Sequence, residues 1–202
     1  VTEAARTNDG GATWAATAIG DENCATPENG GLARIAIDAG GRIWGARQIG
    51  STTAHPLRSS IHYSDADGAT GTWTLAGTLS EAGGGRRPYA LLTHPTNQQI
   101  IALLSASDFA PGAGDRHCIT YMTEDRGGSF TERGATVGSG DNFVATDNGN
   151  AFRALMLPNG RLIVVNREDT SSRVKIYTSD DKGATWTLRY TDAGASVNTM
   201  IL

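Results

Sequence analysis

The chain has 202 residues, 26 of them glycine, with 39% hydrophobic, 6% aromatic and 19% charged residues and a formal net charge of −4. That length suits one folded domain, and the apolar share lies below the usual globular value but far above that of a disordered chain. Seventeen basic against 21 acidic residues, with no dense Lys/Arg run, exclude a strongly basic nucleic-acid surface, and no apolar stretch approaches the roughly 18 residues a membrane-crossing helix needs.

In chain order, the first feature is the turn Thr7-Asn8-Asp9-Gly10-Gly11-Ala12-Thr13-Trp14. Val1–Arg6 before it and the residues after Trp14 read as the third and fourth strands of a sheet unit ending near residue 31. Leu32–Ile37 and Arg42–Arg47 flank the turn Asp38-Ala39-Gly40-Gly41 and read as a hairpin. Ser60–Tyr63 follows as a third strand, then a second turn from Ser64 to Trp73 and a fourth strand, which closes a unit over 32–78. Tyr89–Thr93 and Ile100–Ser105 flank His94-Pro95-Thr96-Asn97. They are followed by His117–Met122 and the turn Thr123-Glu124-Asp125-Arg126-Gly127-Gly128-Ser129-Phe130, in a unit over 87–135. Phe152–Leu157, Arg161–Val165 and Arg173–Thr178 lead to Ser179-Asp180-Asp181-Lys182-Gly183-Ala184-Thr185-Trp186, in a unit over 151–192. Ser196–Leu202 starts another unit. No segment sustains a helical period.

Three of the four turns obey Ser/Thr-x-Asp-x-Gly-x-Ser/Thr-aromatic without a gap, the second carries two extra residues, and the closing aromatics are 59, 57 and 56 residues apart. The pattern has a physical basis. The carboxylates of Asp9, Asp125 and Asp181 can fold back onto backbone N–H groups, with Asp67 taken as their counterpart in the second turn. Gly11, Gly127 and Gly183 can adopt the positive φ that such a turn demands. Trp14, Trp73, Phe130 and Trp186 are expected to cover the hairpins and bury a large aromatic area.

These turns resemble the Asp-box, or bacterial neuraminidase repeat, of sialidases and other β-propeller families. The resemblance implies an all-β fold, a β-propeller of four-stranded antiparallel blades carrying Asp-box turns. About three and three-quarter blades are present. Since a sialidase-like propeller has six, the chain is expected to be about half of a six-bladed or larger propeller. A closed four-bladed ring that shares its last blade between the termini is the alternative.

In such a blade the Asp-box turns lie on one face, and the longer connections gather on the other, where binding and catalysis usually reside. Arg34, Arg87 and Arg153 begin the innermost strands on that second face. Their planar forks match a carboxylate, which suits an anionic sugar. Sialidases use an arginine triad in this way, and Phe152-Arg153 resembles the start of their Arg-Ile-Pro motif, although Ala154 and Leu155 stand where Ile and Pro would be. The resemblance further implies a tyrosine nucleophile and an acid. Tyr89 is the tyrosine at an inner-strand start, and Glu168 and Asp169 follow the blade most like a sialidase first repeat. Asp108 and Asp115 are other loop acids, and no glutamate is placed to activate Tyr89. Tyr63, Tyr121 and Tyr177 read as packing residues.

Other chemistry is weakly signalled. His55, His62, His94 and His117 lack zinc-site spacing, and the calcium-loop-like openings at Asp65 and Asp180 lack the glutamate at the twelfth position. Cys24 and Cys118 read as two free thiols. No metal and no cofactor are expected. The expected function is non-catalytic recognition or structural display, toward a glycan or a protein partner, in a secreted, cell-surface or virion protein such as a phage tail component. The alternative is an exo-sialidase-type glycoside hydrolase with part of its site outside this chain.

Overall fold

The computed structural model describes residues 3–7, 9–18, 34–49, 58–69, 71–79, 86–107, 117–137, 152–167 and 173–192. Every regular element among them is a strand. The strands β1 (Glu3–Arg6) and β2 (Ala15–Ala18) form an antiparallel pair. A first blade holds β3 (Arg34–Ile37), β4 (Ile43–Ile49), β5 (Arg58–Ser64) and β6 (Thr74–Leu79). A second holds β7 (Arg86–Thr93), β8 (Ile101–Ser107), β9 (His117–Thr123) and β10 (Thr131–Val137). A third holds β11 (Phe152–Met156), β12 (Leu162–Arg167), β13 (Val174–Ser179) and β14 (Thr187–Thr191). Each blade is an antiparallel meander with strands in sequence order. The innermost strands lie side by side, β3 against β7 and β7 against β11, so the blades fan out from one edge. The strand expected over Ser196–Leu202 lies outside the described residues.

Burial follows the alternation of side chains along each strand. Trp44 and Ile61 of the first blade pack on Leu91, Leu103 and Ile119 of the second, forming one core between the two sheets. Ala102, Leu104 and Met122 face the other way and pack on Met156, Leu162 and Val164 of the third blade. The second blade is therefore apolar on both faces. That explains the continuous apolar run in Ile101-Ala102-Leu103-Leu104, all of it buried.

The repeated turns are braced by hydrogen bonds that their sequence requires. In the third turn, the Thr123 hydroxyl donates to Asp125 Oδ1 at 2.5 Å and accepts from Gly127 N at 2.9 Å. Ser129 N and Oγ donate to the two oxygens of Asp125 at 3.0 and 2.9 Å. Thr7, Asp9, Gly11 and Thr13 repeat this pattern, as do Ser179, Asp181, Gly183 and Thr185. The hydroxyl of Thr13, Thr185 or Thr123, with the backbone N–H groups, holds Asp9, Asp181 and Asp125 below the ordinary carboxylate range, Asp125 to about 2.

Two expectations about these turns require correction. Asp67 is not the bracing aspartate of the second turn. It takes φ +53°, the position held by Arg126 (+56°) and Lys182 (+62°) elsewhere. Ala66 stands at the bracing place, and the Ser64 hydroxyl bonds directly to the Thr72 hydroxyl at 2.7 Å across the two-residue insertion. Trp14 also departs from its counterparts: it is 63% exposed, whereas Phe130 packs on the first interblade core and Trp186 on the second.

The turns also lock neighbouring blades together. Gly127, at φ +89°, lies so close to Trp44 of the first blade that an added Cβ would stand 2.5 Å from the indole, and Gly183 approaches Thr120 in the same way at 2.6 Å. Asp38, buried after β3, accepts from Gly40 N, Arg42 N, Trp44 Nε1 and, across the blade boundary, Arg126 Nε at 3.1 Å. Burial alone would raise its pKa, but the Arg126, Trp44 and backbone hydrogen bonds outweigh burial and hold it low. Lys182 of the third blade likewise reaches back to Glu124 of the second at 2.8 Å.

Candidate functional site

The end of the fan opposite these turns carries the starts of β3, β7 and β11, and there the structure brings three of the expected residues together. Arg34 Nε donates to the carbonyl oxygen of Tyr89 at 2.7 Å, tying the first inner strand to the second. Its guanidinium pKa is pushed down by burial and by the positive charge of Arg153, and is partly restored by Tyr89. Two cations on inner strands of different blades therefore share one electrostatic neighbourhood.

Tyr89 owes its position to a β-bulge. Pro88 pairs with Ser105 and Ala90 with Leu104, which leaves Tyr89 as the extra residue of β7. Proline, with no N–H to give the ladder, suits the residue just before this irregularity, and a bulge re-aims the residue it carries. Tyr89 is only 4% exposed and belongs to the core between the second and third blades. Its ring therefore has a packing role whatever else it does.

The remaining candidates divide. Arg87 lies in β7 with its backbone in register with Ala106, and its side chain is outside what the structure describes. Glu168, Asp169, Asp108, Asp115 and Cys24 lie outside the described residues. His62 is buried on β5 beside the Ser60 hydroxyl at 3.0 Å. His94 is buried after β7, where its Nδ1 accepts from Thr96 N and Asn97 N at 3.3 and 3.1 Å. These bonds place the His94 proton on Nε2 and make the ring a turn brace equivalent to Asp38. Among the described residues, no group of three or more His, Cys, Asp and Glu is placed to hold a metal ion.

The sequence reading passes over Asn166, the last residue but one of β12, which is buried and pairs with Phe152 at the start of β11. Its signal is a polar residue closing the apolar run Leu162-Ile163-Val164-Val165.

No protein-family model and no curated protein matches the chain. Solved structures do. The Hadza microbial sialidase Hz136 superposes with a TM-score of 0.59 at 17% identity, over 92% of this chain and 39% of that one. The α-L-arabinofuranosidase Arb93A of Fusarium graminearum, in complex with an iminosugar inhibitor, gives a TM-score of 0.52 at 13% identity, over 80% of this chain and 47% of that one. This chain thus spans less than half the length of either. With the antiparallel four-stranded blades described above, the similarity defines a β-propeller fold, one shared with glycoside hydrolases.

Proposed function

We propose that this propeller recognises an acidic glycan without cleaving it, and that Arg34 and Arg153, with Arg87, form the carboxylate-binding centre. The observation that carries the reading is the placement of Arg34 and Arg153 at the starts of inner strands that flank the same strand, β7. A guanidinium fork matches a carboxylate, so arginines at this end of adjoining blades suit an acidic sugar. On this reading the braced turns are Asp-boxes with a structural role. Display on a secreted, cell-surface or virion protein suits such a module.

Hydrolysis is the second reading, favoured by the sialidase and arabinofuranosidase similarities and by the bulge at Tyr89. Against it stands the near-complete burial of Tyr89 among apolar side chains, where a phenol has little access to a sugar. The two readings separate in one experiment on the full-length protein. Glycan-array and titration binding to sialylated and uronic-acid glycans is expected, weakened at least tenfold in Arg34→Ala and Arg153→Ala, with no release from a fluorogenic sialoside. Binding that survives both substitutions removes the arginine centre, and turnover that Tyr89→Phe abolishes replaces recognition by hydrolysis.

A further inference from the structure

β7 ends the sheet of the second blade, with β8 on one side and no strand of its own sheet on the other. β3 of the first blade and β11 of the third lie against it. Main-chain carbonyls on such an edge need donors from elsewhere, and the Tyr89 carbonyl finds one in Arg34 Nε at 2.7 Å. The bulge selects this carbonyl. Main-chain groups alternate between the two edges of a strand, and the extra residue between Pro88 and Ala90 changes which edge each group faces.

The partner chosen for Arg34 is a neutral one. At the turn end, Arg42 Nε reaches Asp65 at the same 2.7 Å and its Nη2 reaches the other carboxylate oxygen at 2.9 Å, so the charge of Arg42 is answered by the bond that holds it. A carbonyl carries no net charge, and the bond to Tyr89 aims the Arg34 guanidinium without neutralising it. Because a guanidinium is rigid and planar, holding its Nε–H restricts the plane in which the other four N–H groups point, whatever further bonds they make. The same residue also serves the third blade. The Tyr89 ring packs in one core with Met156 and Ala154 of β11, the strand that carries Arg153. One residue thus engages the strands of both arginines, through its carbonyl on one side and its ring on the other.

We infer that Tyr89 is a positioning residue of the arginine centre, its main-chain carbonyl holding the Arg34 guanidinium ready for a carboxylate; this inference rests on the function proposed above. Ordering a long side chain at binding weakens affinity, and a guanidinium already held in the free protein avoids that loss.

The test titrates the full-length protein with the methyl glycosides of N-acetylneuraminic acid and glucuronic acid. Replacing Ala90 by its α-hydroxy analogue, lactic acid, turns the amide that carries the Tyr89 carbonyl into an ester, a weaker acceptor, and alters no side chain. The ester is expected to raise Kd about fivefold, the effect of ordering one arginine at binding. In Arg34→Ala the same ester is expected to change Kd no further, since the carbonyl acts through Arg34. An unchanged Kd, or an equal rise in both backgrounds, makes the carbonyl merely structural and overturns the inference while leaving the arginine centre standing. A readout on the unaltered backbone stands beside it, should the ester fail to fold. Proton exchange of the Arg34 Nε–H, identified in NMR spectra by its loss in Arg34→Lys, is expected to be slow in the free protein and to stay slow at saturation with glycoside. Exchange as fast as that of free arginine in either state overturns the inference. If Arg34→Ala binds as wild type does, or neither glycoside binds wild type, the recognition function itself fails and the positioning role falls with it.

Discussion

Gly127→Ala isolates the contact that joins the first two blades. Two costs combine. An L-residue at φ +89° pays about 1–2 kcal/mol relative to glycine. The new methyl also meets Trp44 Cη2 at 2.5 Å and Cζ3 at 2.9 Å, and Trp44 is fully buried, so the indole has little room to yield; overpacking of this kind adds about 1–3 kcal/mol. The sum, roughly 2–5 kcal/mol, corresponds to a Tm lowered by about 10 °C in a chain of this size. Gly41→Ala supplies the control, because Gly41 has φ +85° and nothing within 4 Å of the added Cβ. It bears the conformational cost alone, about 3–6 °C. Thermal unfolding followed by circular dichroism compares the two, and Trp44→Leu in each background completes a double-mutant cycle with a coupling of about 1–3 kcal/mol expected only for Gly127. Equal Tm losses in Gly127→Ala and Gly41→Ala would refute the close packing of turn on indole.

Three further outcomes follow from the hydrogen-bond pattern. Asp38→Asn gives the buried centre one acceptor oxygen in place of two and turns an NH2 toward donors from Arg126, Trp44 or the backbone; urea unfolding should show a loss of about 2–4 kcal/mol, and a loss under 0.5 kcal/mol would contradict the network. The bracing carboxylates titrate low in the folded state, Asp125 at about 2, against an ordinary value near 4. Their contribution is complete above about pH 4 and is lost as pH falls toward 2, so Tm should drop steeply across that window in wild type and less so in Asp125→Asn, whereas parallel curves would exclude the brace as the cause. Thr120 Oγ1 is buried without a partner among the described residues beneath Gly183; Thr120→Val should therefore raise stability by about 1 kcal/mol, and destabilisation by a similar amount would show that the hydroxyl is satisfied in solution.

The blades were legible because their determinants are local. A hydroxyl, an aspartate two residues on and a glycine two further close a turn through contacts within five residues, so the spacing from Thr123 to Ser129 reads directly as hydrogen bonds. The same locality explains the misreading at Asp67. Asp65, Asp67 and a two-residue insertion permit two alignments of the second turn, and only the positive φ at Asp67 decides between them. Contacts between blades were not legible. Nothing in the sequence ties Arg126 to Asp38, 88 positions away, or Arg34 to the carbonyl of Tyr89, 55 away. The bulge that places Tyr89 depends on how β7 pairs with β8, although Pro88 marked the spot.

The turn end of the fan holds its charges through pairs that can be named one by one. At the turn end Asp38 is engaged by Arg126, Asp65 by Arg42, Asp180 by Arg161, Glu124 by Lys182 and Arg133, and Asp125 and Asp181 by their own turns, while Asp67 stands exposed. Arg42 is even clamped between its carboxylate partner and the Tyr63 ring, 4.0 Å from the centroid. At the opposite end the strand termini carry Arg34, Arg47, Arg153, Arg173 and Lys175, each of which has a partner of its own. Substitutions that test folding therefore belong at the turn end, and those that test the proposed recognition at the end where Arg34 bonds the Tyr89 carbonyl.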